Sequence, residues 1–286
     1  MSTNSATLWL RPFIARPIAL AGLGVLLATV LAAAFAPWLA PYDPYAIDPL
    51  IRLTPPNVTH WFGTDQFGRD TLSRTIQSAR MALLIGSGVV VFALATGVPA
   101  GVLSALFPRL GHLLMRMVDV LMAFPTLLLA LGLIVILGPS VANVILAIGL
   151  GYMTTTTRIV YGLTLRLRAE TYVEASRSMG AGTVWLISRH ILPNLVSPLL
   201  VQASFVFAFA QLGAASLDFL GLGAPPEIPS WGNMLAESRT FITRAPWLLI
   251  FPGMMIVATA FSLNLVGDAL RDRLDPRFRQ VFGEKG

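Results

Sequence analysis

Residues 170–194 read Glu170-Thr-Tyr-Val-Glu174-Ala-Ser-Arg177-Ser-Met-Gly180-Ala-Gly182-Thr-Val-Trp-Leu-Ile-Ser-Arg189-His190-Ile-Leu192-Pro193-Asn194. This polar, arginine-bearing stretch lies between two long apolar runs. A chain that is 55% hydrophobic and 12% charged, with a mean hydropathy of +0.73, is too apolar for a domain solvated on all sides, and its composition is that of an integral membrane protein. The 170–194 stretch is then a loop between membrane crossings.

A helix needs roughly 20 apolar residues to cross the hydrocarbon core. Windows 17–42, 81–108, 120–157, 190–217 and 245–267 are essentially free of charge. The third is too long for one helix and is divided by Gly138-Pro139-Ser140, which favours a turn. Six helices are therefore predicted, at 17–39, 81–106, 113–137, 141–162, 195–220 and 246–268. The expected fold class is an all-α integral membrane protein.

Basic residues collect on the cytoplasmic side of membrane proteins, because moving them across during insertion is unfavourable. With both termini inside, the cytoplasm receives Arg11, Arg16, Arg109, Arg116, Arg158, Arg166, Arg168, Arg177, Arg189, Arg271, Arg273, Arg277, Arg279 and Lys285. Those 14 basic residues, set against seven acidic ones, give a net charge of +7 inside and −1 outside. The same asymmetry explains a pI near 10.5 without nucleic acid, for which no binding motif is present. Zero cysteines exclude disulfides and thiolate metal sites. The first apolar run follows Arg11 and Arg16 as a secretory signal would, but its length and Pro37 favour a retained helix.

Within the loop, Thr171 to Met179 predicts about two and a half turns of helix, stopped at Gly180 and Gly182. Glu174, Arg177 and Ser178 share one face; Tyr172, Ala175 and Met179 form a small apolar face, and the small residues at 175 and 176 allow close approach of another backbone. Helical pattern alone fits two uses equally, docking on another protein or lying on the inner leaflet with Arg166, Arg168 and Arg177 on lipid phosphates. Pro193 is expected to bend the chain into the fifth span.

The segment 41–80 is rich in Pro, Asp and Thr and contains Phe62-Gly63-Thr64-Asp65, Gly68-Arg69-Asp70 and Ser73-Arg74. Asp70 is placed to cap a helix leading into the second span. Further marks are Phe219-Leu220-Gly221-Leu222-Gly223, Pro229-Ser230-Trp231-Gly232, Gly267-Asp268 and Leu274-Asp275-Pro276-Arg277.

Glu174, Ala175, Gly180, Leu192 and Pro193 resemble the cytoplasmic "EAA" loop of ATP-binding cassette importer permeases. Ser176 and His190 depart mildly from that pattern. The Phe62–Arg74 run and the later marks resemble the second permease subunit of the dipeptide, oligopeptide and nickel importer family, over most of residues 60–278. The resemblance implies a type I ABC importer transmembrane domain. Residues 80–270 would be its core, residues 1–79 an added tail, helix and outer segment, and residues 271–286 a cytoplasmic basic tail. It implies a multi-pass protein of the bacterial inner membrane. The expected partners are a related second permease subunit, two nucleotide-binding ATPase subunits and an extracytoplasmic substrate-binding protein. Tyr172, Glu174, Ala175, Ser176, Arg177, Met179, Gly180, His190, Leu192 and Pro193 would form the ATPase-coupling loop, moving with the ATPase to open the pathway.

No cofactor is expected on this chain. A phosphate loop needs a lysine, and the single lysine is Lys285 near the C-terminus; ATP and magnesium would sit on partner subunits. An enzyme is disfavoured, since the histidines His60, His112 and His190 are dispersed and no metalloprotease motif occurs. A secondary transporter or channel without ATPase is the alternative that six spans would also suit.

The pathway is thinly marked. Asp218, Thr154, Gln211 and Asn264 are candidate pathway or outer-mouth residues, alongside Asn143 and Gln202. Each has a structural alternative, as threonines bond their own helix and buried amides join helices. Asp119 is expected to pair with Arg116, three residues earlier on one helix face.

Overall fold

The computed structural model describes residues 17–274, with side chains to residue 270. Arg11, Arg16, residues 275–286 and the side chains of residues 271–274, Arg271 and Arg273 among them, lie outside this description. The regular elements are helical, apart from one isolated bridge between Thr64 and Asp70.

The first helix, α1, is Pro17–Ala34, followed after Phe35 by a single turn, Ala36–Leu39. Pro37 in that turn cannot donate the hydrogen bond that would continue α1, so the expected 17–39 helix is interrupted. Residues 41–70 cross one end of the bundle in turns. Gly68 has φ +78 there, and a Cβ on it would stand 1.7 Å from the Asp48 carbonyl oxygen, so only glycine fits.

The second helix, α2 (Thr71–Leu106), has 36 residues and starts ten residues before the expected span, because Asp70 caps it. The Asp70 carboxylate accepts from the Ser73 backbone N–H at 2.7 Å and from its hydroxyl at 2.7 Å, as the sequence predicts.

The third crossing differs from its expectation as one helix over 113–137. It consists of α3 (Pro108–Met122) and α4 (Thr126–Leu137), bent by 91° at the break. Pro125 drives Phe124 out of helical geometry, and the composition of the run as a whole hides that local stop. At 12 residues, α4 is only about 18 Å long, well short of the hydrocarbon core.

The turn at Gly138-Pro139-Ser140 holds as expected, and Ser140 caps α5 (Val141–Arg168). This helix runs six residues past its expected end. Arg158 lies inside this helix, as it does in the expected 141–162 span. After α6 (Thr171–Ser178), a helical run from Thr183 through a π-helical stretch, Ile187–Ile191, leads into α7 (Leu192–Phe219). A short helix, α8 (Trp231–Ser238), precedes α9 (Trp247–Leu274). Five helical runs are long and apolar enough to cross a membrane, and the α3–α4 pair makes a sixth if counted as one.

The core lies where α2, α4, α5 and α7 meet, around Val89, Ala130, Ile134, Val144, Ile148 and Leu217. α2 and α5 approach most closely: a Cβ on Gly101 would stand 2.7 Å from the Thr157 carbonyl oxygen. Such small-residue contacts replace the hydrophobic driving force that lipid does not supply between helices. α1 packs beside α9, with Gly22 against Ser262 and Leu265. Apolar side chains such as Ile136 (80% exposed) and Val257 (66%) point outward, the inverse of a soluble protein.

Candidate functional site

The 170–194 loop forms a small folded unit on one end of the bundle. α6 stops as the sequence predicts: Gly180, at φ +88, lets the Gly180 N–H reach the Arg177 carbonyl at 3.0 Å and the Ala181 N–H reach Ser176 at 3.1 Å. This paired closure satisfies carbonyls that the helix end leaves free.

The inward face of α6 consists of Val173 and Ser176, both buried. The Ser176 hydroxyl donates to the Tyr172 carbonyl at 2.8 Å and sits 3.3 Å from His190 Nε2. The His190 ring meets Tyr172 and Trp185 edge-on, at centroid distances of 5.4 and 5.0 Å. Ser176 and His190 thus fasten α6 to the following helix and do not present themselves to a partner. Ser176 had been expected on the approach surface, and its spacing from Ala175 alone could not reveal which way it turns.

The outward face is free. Met179 is 82% exposed and Tyr172 43%, with Glu174, Ala175 and Arg177 exposed beside them. Behind α6 lies a cleft of about 410 Å³, lined by Phe107, Arg168, Glu174 and Arg177 among others.

Leu192 and Pro193 are exposed at the head of α7, but Pro193 makes no bend. Leu192 keeps helical angles (φ −57, ψ −45), and the preceding π-helical turn absorbs the missing proline N–H. The Asn194 side chain donates to the His190 carbonyl at 2.6 Å.

At the opposite end, three charged residues of the 65–74 run converge with one distant in sequence, Glu237. Asp65 accepts from Arg69 Nε at 2.6 Å and from Arg74 Nη1 at 2.5 Å, while Glu237 of α8 accepts from Arg69 at 2.9 Å and from Arg74 at 3.3 Å. Arg74 is only 1% exposed, so its charge depends on these two carboxylates. His60 Nδ1 lies 2.9 Å from Asp70, beneath Tyr42. The quoted Phe62–Arg74 run therefore locks the 41–70 segment to α2 and α8. No local pattern points to Glu237, since its partners lie over 160 residues away.

The pathway candidates separate. Asp218 does not face an outer mouth: it is buried, accepts from the Ser230 hydroxyl at 2.6 Å and the Ala224 N–H at 2.7 Å, and ties α7 to α8. Gln211 is buried and donates across to the Ala82 carbonyl of α2. Thr154 bonds the Gly151 carbonyl of its own helix at 2.6 Å. Asn143 caps the end of α4 through Leu137 and Gly138, at 3.0 and 2.9 Å. Gln202 is half-buried, and Asn264 Oδ1 is buried in α9 without a partner. Asp119 pairs with Arg158 of α5 and not with Arg116, because the bent α3 carries it against that helix.

Bundled apolar helices, small-residue contacts between them and a rigid polar loop define a multi-pass helical membrane protein. The chain belongs to the family of binding-protein-dependent transport system inner membrane components, which matches residues 97–280. Residues 7–56 match a second family, the N-terminal TM domain of oligopeptide transport permease C. The chain is 44% identical over 270 residues to the di/tripeptide transport system permease protein DppC of Pseudomonas aeruginosa, covering 92% of this chain and 89% of the relative. It is 40% identical over 263 residues to the dipeptide transport system permease protein DppC of Alkalihalophilus pseudofirmus, covering 92% and 86%. It is 39% identical over 252 residues to the glutathione transport system permease protein GsiD of Escherichia coli, covering 87% and 83%. The fold is the type I ABC importer membrane domain, and the protein is a permease subunit of a binding-protein-dependent importer. That membership sets aside the channel and the secondary transporter.

Proposed function

We propose that this permease forms half of an import pathway for peptides or similar small solutes, with a related second permease completing it. Transport is powered by two separate ATPase subunits that carry the ATP and magnesium, and substrate arrives from an extracytoplasmic binding protein. Both termini and the 170–194 loop lie in the cytoplasm. The observation that carries the reading is α6: a short helix pinned on its inner face by Val173, Ser176 and His190, with Tyr172, Ala175 and Met179 presented outward. A rigid knob of this kind transmits movement only if its outer face is gripped, which calls for a partner that differs between two states. Peptides as cargo rest on the relatives named for peptide, di/tripeptide and glutathione transport.

The test is co-purification and uptake. Met179→Asp places a charge in the exposed apolar face without touching the pinned one. It is expected to leave the protein in the membrane, to release the ATPase subunits on purification and to abolish uptake. Retention of both would refute docking through α6.

A further inference from the structure

Among the described residues, five ion pairs gather at the end of the bundle that holds the 41–70 segment, and one stands apart: Asp119 of α3 with Arg158 of α5. Arg158 lies ten residues before the end of α5, about 15 Å along the helix. The two side chains are 48% (Arg158) and 54% (Asp119) exposed. A charged pair this exposed on helix faces does not sit against lipid chains, so this face of α5 borders water or protein.

The rest of that face agrees. Thr155 lies one turn before Arg158 and Gly162 one turn after, with Arg166 one turn further. A Cβ on Gly162 would meet nothing within 4 Å, so the strip is open beside the pair. A cleft of about 240 Å³ between the end of α2, α3 and α5 is lined by His112, Arg116, Asp119, Tyr161 and Arg168. Asp119 pairs with Arg158 and is the one carboxylate in a cleft that Arg116 and Arg168 also line.

An exposed pair of opposite charges with surplus cation is chemically matched to a solute that carries both a carboxylate and an ammonium group. We propose that Asp119 and Arg158 are a substrate subsite for a zwitterionic solute, in which Arg158 takes the carboxylate and Asp119 takes the ammonium, each releasing the other. The exchange leaves the number of paired charges unchanged, so opening the pair carries no uncompensated charge in the apolar bundle. The planar guanidinium binds a carboxylate with two parallel hydrogen bonds, and the surplus positive charge favours arrival of the carboxylate end. Free-ended peptides share these two groups whatever their side chains. The inference rests on the peptide-class reading given above.

The experiment uses the complete transporter, both permeases with ATPase and binding protein, in proteoliposomes. Initial uptake of alanyl-alanine and of its C-terminal amide is compared, with subunit assembly and ATPase activity measured alongside. Arg158→Gln is expected to keep assembly and ATPase activity, to lower alanyl-alanine uptake at least about tenfold and to shrink the preference over the amide. Arg158→Lys, which keeps the charge, is expected to recover most of the uptake. Wild-type uptake and preference in Arg158→Gln would overturn the subsite alone. If Arg158→Gln fails to assemble, the neutral pair Arg158→Gln/Asp119→Asn decides: restored assembly without uptake supports the subsite, and full uptake makes the pair a structural tie. A wild-type transporter that takes up neither compound removes the peptide reading, and the subsite with it.

Discussion

At the scale of single residues, the burial of Arg74 sets the largest expected penalty. Asp65→Asn removes one of its two carboxylates and leaves a guanidinium that is 1% exposed short of charge. Breaking such a pair costs about 3–5 kcal/mol. The expected result is a lower unfolding temperature of the purified protein, whereas Asp43→Asn, in an exposed turn, leaves it unchanged. Gly68→Ala is expected to cost at least about 1–3 kcal/mol, since the new Cβ meets the Asp48 carbonyl and the backbone angle is left-handed; the same melting measurement reads it. The residue roles legible in the sequence were those set by near neighbours. Asp70 bonds three residues on, and Gly180 ends the turn it belongs to. Asp119 was given the wrong partner and Asp218 was left between two roles, because their partners, Arg158 and Ser230, are brought in by chain reversals that no local pattern encodes.

Among the elements, α6 and the α3–α4 bend carry the consequences. Val173 is 4% exposed beneath α6, so Val173→Asp is expected to unseat the helix and weaken ATPase co-purification, while the neighbouring exposed Thr171→Ser leaves it intact. Comparing the two distinguishes loss of seating from loss of a surface contact. The helices with long uniform runs were legible because roughly 20 apolar residues have few alternatives to crossing. The bend was not, because hydropathy averages over windows wider than the three residues from Ala123 to Pro125 at which α3 stops and α4 starts. α8 was equally hidden: its eight residues are held by Trp231 donating to Thr75 at 3.0 Å and by Glu237 reaching Arg69 and Arg74, contacts that exist only after folding. In the 170–194 loop, the sequence showed which residues belong to α6, and the inward turn of Ser176 and His190 emerged only from their packing.

For the whole molecule, the absence of cysteine makes sidedness directly measurable. Met179→Cys, at an 82% exposed position, is expected to react with a membrane-impermeant thiol reagent only from the cytoplasmic side; Leu50→Cys, at a 94% exposed position, only from outside. The reverse pattern would invert the topology derived from charge counting. The length of α2 has one more consequence. Arg74 near its start is clamped in the ion network with α8, and Ala105 near its end accepts a hydrogen bond from Arg168, the last residue of α5. The 31 residues between these two anchor points form a rod of about 46 Å. A rod held at both ends acts as a lever: a tilt of a few degrees, fixed at one anchor, displaces the other by several ångströms. Movement at one end of the bundle is then transmitted to the other through one continuous backbone, with Pro99 as the point where it yields.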